Sequence, residues 1–146
     1  MGILEKLTVS HKIVLVLSAL TLMLGLANLA RAILAAQTSM YLPDLPTTVS
    51  LRYLAVMGGL WAGAFAISTV GLALFRKWGR RCTLAIVTLY QIHAWVNRIL
   101  FATSEYVRQT LARDVVLTLI FLLIFWIPLN LDRVKETFGK GAEEGR

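Results

Sequence analysis

The residues with chemistry to offer are few, and most stand in one stretch. Residues 83–105 read TLAIVTLYQIHAWVNRILFATSE, an apolar run interrupted by Gln91, His93, Asn97 and Arg98. An imidazole can ligate a metal or a haem iron, but a metal site needs several ligands. His11 is the only other histidine, and no Cys, Asp or Glu lies near His93 in its own span. His93 therefore reads as a hydrogen-bonding group, and no metal or cofactor is expected. Arginine offers a second chemistry, because its planar fork grips a carboxylate or phosphate through paired bonds. Arg31, Arg52 and Arg98 all fall near one end of an apolar span, with Asp44, Glu105 and Asp114 at a similar level. They read either as ion pairs that snorkel to headgroups or as a pocket for an anionic group. The candidate polar pocket comprises Asn28, Arg31, Arg52, Gln91, His93, Asn97, Arg98, Glu105 and Asp114. No HExxH, GxSxG or P-loop motif occurs, so a non-enzymatic role is the expectation.

Such groups need a setting that tolerates them. With successive residues at ~100° around a helix, Leu89, Ile92, Val96, Ile99 and Leu100 fall on one continuous arc. Tyr90, Gln91, His93, Trp95, Asn97, Arg98, Ser104 and Glu105 cover the rest. The first arc suits lipid; the second suits a bundle interior or a wet cavity, since polar groups at membrane depth are costly.

Composition points the same way. The chain has 146 residues, of which 58% are hydrophobic. Soluble domains lie nearer ~45–50%. The net charge of +7 and pI of about 10.1 would suggest nucleic acid in a soluble protein. Here most basic residues flank apolar spans, so anionic headgroups are the expected partner and nucleic acid is not. Cys82 is the single cysteine, which excludes an intramolecular disulfide; it reads as a packing residue.

The sequence predicts an all-α fold: a four-helix transmembrane bundle of up-down order, N-in and C-in. The membrane domain is expected over residues 1–132, with spans at 13–36, 51–75, 82–103 and 112–131, and a cytoplasmic tail over 133–146. Ser18, Thr21, Gly25 and Asn28 share a face of the first span that permits close helix approach. Pro43 and Pro46 mark the first loop. Gly59 and Gly63 form a GxxxG pair in the second span, expected to pack on a neighbouring helix of the same bundle or on a second copy. The segment 76–81, RKWGRR, places its turn in the cytoplasm. Ten Lys or Arg then fall inside and five outside, the five being Arg31, Arg52, Arg98, Arg108 and Arg113. The fourth span is apolar on every side and reads as a lipid-facing helix. The tail is expected to extend it by a turn or two before order is lost.

The segments MGGLWAGAFAI, RKWGRR and YQIHAWVNR together make the chain resemble small, mostly uncharacterised four-span proteins of the bacterial inner membrane. The resemblance covers most of the chain and implies a multi-pass four-helix bundle in the cell membrane; it supplies no activity. Small multidrug exporters share the size and span count but depend on a membrane-embedded glutamate in the first span. Here that span has no acid. The expected role is an accessory or interaction subunit, with a homodimer or another membrane protein as partner. The alternative is a small transporter or binder of an anionic or amphipathic ligand, using an outward-facing polar pocket.

Overall fold

The structure, a computed structural model, describes residues 9–41, 49–101 and 110–140. The described chain is helical: α1 (Val9–Tyr41), α2 (Leu51–Ala73), α3 (Lys77–Phe101), α4 (Leu111–Asn130) and α5 (Asp132–Lys140). The first four are long and apolar enough to cross a membrane. From α1 to α4 successive helices run antiparallel. Ser18 donates to the Thr69 carbonyl at 3.2 Å while Gly58, at the opposite end of α2, packs on Ala32. Trp61 meets His93, and Trp95 meets Thr118.

α1 and α2 pack closely because small residues line their seam. Ser18, Thr21, Gly25 and Asn28 are all buried, as their shared face predicts. A Cβ on Gly58 would stand 3.0 Å from Ala32 Cβ and from the Asn28 carbonyl, so that backbone approach depends on glycine. Gly59 and Gly63 correct the expectation of close packing within the bundle, for nothing lies within 4 Å of a Cβ built on either. The reason is helical phase. The face of α2 turned to α1 is set by Gly58, Phe65 and Leu72, and Gly59 is rotated ~100° from Gly58.

The turn between α2 and α3 is tighter than the RKWGRR segment implies. α2 closes with the Arg76 amide bonded to the Gly71 carbonyl at 3.1 Å and the Phe75 amide to Leu72 at 2.9 Å. This is the Schellman pattern, with Phe75 at φ 50° in the position that usually holds glycine. α3 then starts at Lys77, so most of the basic segment is helical. A Cβ on Gly71 would lie 2.6 Å from the Gly79 Cα, and a Cβ on Gly79 would strike the Gly71 backbone.

Pro128 sits in the last turn of α4. The helix stops at Asn130, and Leu131 turns the chain with ψ 135°. α5 follows as a separate helix, where a short continuation of the fourth span was expected. Val134 and Phe138, four residues apart, give it one apolar face, and both are buried. They join Val14, Leu17, Leu72, Val87, Phe125 and Leu129 in a core at the end of the bundle near the α2–α3 turn. The opposite half holds the side chains of His93, Asn97, Arg98 and Asp114 and the cavity described below.

Candidate functional site

α3 divides its polar residues between two neighbours. His93 and Asn97, one turn apart, face α2. Gln91, Trp95 and Arg98 face α4. The arc of Leu89, Ile92, Val96, Ile99 and Leu100 is exposed throughout, as its spacing predicts.

On the α2 side, the Trp61 indole Nε1–H donates to His93 Nδ1 at 3.1 Å. An indole cannot accept, so Nδ1 is the bare nitrogen and the ring proton sits on Nε2. That Nε2–H faces the Tyr53 hydroxyl oxygen at 3.0 Å. The hydroxyl donates in turn to Asn97 Oδ1 at 2.8 Å. The Asn97 amide nitrogen lies 3.1 Å from Nε2 and 3.4 Å from Nδ1. The Trp61, His93 and Tyr53 protons thus each have one acceptor, and the imidazole is held between α2 and α3. Trp61, Phe65 and Tyr90 pack edge to face below it, with Trp61–Tyr90 and Phe65–Tyr90 centroids each 5.2 Å apart.

These groups form the wall of a cavity of ≈ 380 Å³ between α1, α2 and α3. Asn28 and Arg31 of α1 line it, with Tyr53, Met57, Gly58 and Trp61 of α2 and Tyr90, His93, Ala94 and Asn97 of α3. Asn28 is buried and fixed by its own amide, which donates to the Leu24 carbonyl at 2.8 Å. Arg31 is exposed at the cavity and has no ion-pair or hydrogen-bond partner among the described residues.

On the α4 side, Arg98 pairs with Asp114 and also donates to Thr110 Oγ1 at 3.0 Å. Arg113 reaches the other Asp114 oxygen at 3.1 Å. The Trp95 indole donates to Thr118 at 3.1 Å, and the Arg98 guanidinium lies 5.6 Å from the Trp95 ring centroid. This carboxylate is thus enclosed by two guanidinium groups.

The single polar pocket read from the sequence is therefore two sites. Asn28, Arg31, His93 and Asn97 share the cavity; Gln91, Arg98 and Asp114 lie between α3 and α4. Arg52 is exposed on α2 and lines neither. Glu105 lies outside the described residues. Tyr53, Trp61 and Tyr90 were missed as site residues. Tyr53 and Trp61 stand eight residues apart with Met57 midway, a stripe on one helical face that could have pointed to them. Among the described residues no cluster of His, Cys, Asp or Glu could hold a metal ion. Comparison with known proteins returns no matching family model, no matching curated protein and no matching solved structure.

Proposed function

We propose that this chain is a multi-pass protein of the bacterial inner membrane that binds a single-chain anionic amphiphile in the α1–α2–α3 cavity, without catalysing a reaction on it. The observation that carries the reading is Arg31, a guanidinium without a partner among the described residues, at the edge of a cavity walled by the hydrogen bonds that join Trp61, His93, Tyr53 and Asn97. From Lys12 to Arg31 α1 rises about 28 Å, close to the ~30 Å of a hydrocarbon core. Arg31 then sits at a membrane boundary, where it meets a headgroup while a chain runs toward the hydrocarbon core along Trp61 and Tyr90. A cavity of this size stands at the small end of ligand sites, which span roughly 300–1,000 Å³.

In this reading the RKWGRR segment and both termini are cytoplasmic, with their basic residues against anionic headgroups. The cavity then opens outward. Native mass spectrometry of the purified chain tests the proposal. A retained anionic amphiphile that is lost from Arg31→Gln supports it, and an empty wild-type protein argues against it.

A second reading, an accessory subunit seated on another membrane protein, draws on the open α2 face at Gly59 and Gly63. A stable hetero-complex after mild solubilisation, broken by Gly63→Leu, would favour it.

A further inference from the structure

We propose that the α3–α4 face pairs with the same face of a second copy of this chain, joined by Gln91 across a two-fold axis. Gln91 lies about 21 Å from Lys77 and about 15 Å from Phe101 at 1.5 Å per residue, deep within the span. Its side chain is half-buried and has no hydrogen-bond partner among the described residues. It opens into a groove of ≈ 470 Å³ between α3 and α4, whose far wall is Leu117, Ile120, Phe121 and Ile124. Lipid chains at that depth offer neither donor nor acceptor, so an amide left facing them stays unsatisfied.

A glutamine amide carries one acceptor oxygen and two N–H donors, which makes it complementary to itself. Two copies related by a two-fold exchange one donor and one acceptor, and an isologous interface brings residue 91 opposite residue 91. Arg98 pairs with Asp114, and the second cation on that carboxylate, Arg113, is exposed at the start of α4, away from the level of Gln91. The exposed ridge of Leu117, Ile120 and Ile124 supplies apolar surface to fill the partner's groove. The other open face, at Gly59 and Gly63, offers close approach but no polar group that calls for a partner. This pairing is independent of whatever occupies the α1–α2–α3 cavity.

The test uses the full chain in liposomes over a range of protein-to-lipid ratios. Energy transfer between labelled copies reads association, and oxidative cross-linking of Leu117→Cys in a Cys82→Ser background reads the face. The expected result is a dimer that cross-links at position 117 and that Gln91→Leu weakens roughly tenfold, the scale of an interhelical hydrogen-bond pair in membranes. Gln91→Asn, which keeps an amide, should retain part of the association. Three results would overturn the proposal: a monomer at every ratio, as expected if lipid alone fills the groove; a dimer indifferent to Gln91→Leu; or cross-linking at Gly63→Cys in place of Leu117→Cys. Because the cross-link is read with Gln91 intact, poor folding of the leucine variant leaves the face decidable.

Discussion

Tyr53 has one hydroxyl and two partners, His93 and Asn97, so its removal undoes both ends of the network at once. Tyr53→Phe should lower stability in detergent by about 1–2 kcal/mol, since intramembrane hydrogen bonds average well under 1 and reach about 1.7 kcal/mol each. Unchanged unfolding in SDS titration would mean that the hydroxyl is satisfied elsewhere. Phe75 invites a sharper comparison. It holds a left-handed conformation at φ 50° while its ring packs on His11 and Phe138, with centroids 5.0 and 6.3 Å away. Alanine there loses the ring and keeps the strain, whereas glycine loses the ring and relieves it. Phe75→Gly should therefore be more stable than Phe75→Ala by about 1 kcal/mol, the reverse of helix propensity. Thermal melts of both variants decide it. For Arg98 and Asp114, a double-mutant cycle with leucine at each should give coupling of about 1–3 kcal/mol. Additive effects would leave the ion pair without energetic weight. Residue identity was the legible part of this pair: an arginine at the span edge needed an acid, and Asp114 was one of three acids at a similar level. Which of the polar residues on α3 would share a cavity was not legible. His93 and Gln91 differ by ~200° around the helix, and only the positions of α2 and α4 decide what each side faces.

At the scale of elements, the glycines separate pattern from phase. Gly59 and Gly63 have the spacing of a packing motif, but spacing defines a stripe and not the neighbour it faces. Gly63→Leu should express and melt like wild type in the monomeric chain, against the sequence-based expectation. Gly79→Ala should instead lower the melting temperature markedly or prevent folding, because its Cβ would occupy the Gly71 backbone. Backbone on both sides of a contact cannot yield as a flexible side chain can. A stable Gly79→Ala would mean that α2 and α3 are farther apart at this turn. α5 was hidden for a different reason. Its sequence DRVKETFGK is short, charged and rich in weak helix formers, and only Val134 and Phe138 at one-turn spacing signal a docked face. Burying a side chain such as Phe138 contributes about 1.5–3 kcal/mol, enough to hold a nine-residue helix that would not persist alone. The exposed apolar arc of α3, by contrast, was plain from periodicity, because such a face is decided by its surroundings and needs no neighbour.

For the whole molecule, the antiparallel order and the four long apolar helices follow from hydrophobic length and the breaks between them. The proposed orientation rests on the basic segment alone. It expects a cysteine placed at Trp78, in a Cys82→Ser background, to be protected from an impermeant reagent outside intact cells. The division of the bundle into a dense end and an open end could not be read from the chain. Val14, Leu72, Phe125 and Phe138 are apolar like their neighbours, and only packing shows that they meet at one end and leave the other hollow. That hollow, with Arg31 at its edge, is the central claim. Its most direct test is equilibrium binding of dodecyl phosphate, compared with the cationic dodecylammonium, to the chain in nanodiscs. The expected result is saturable binding of the phosphate alone, weakened at least tenfold in Arg31→Gln with the fold unchanged. Equal binding of both amphiphiles, or equal binding of the phosphate by wild type and Arg31→Gln, would contradict an anion site in this cavity.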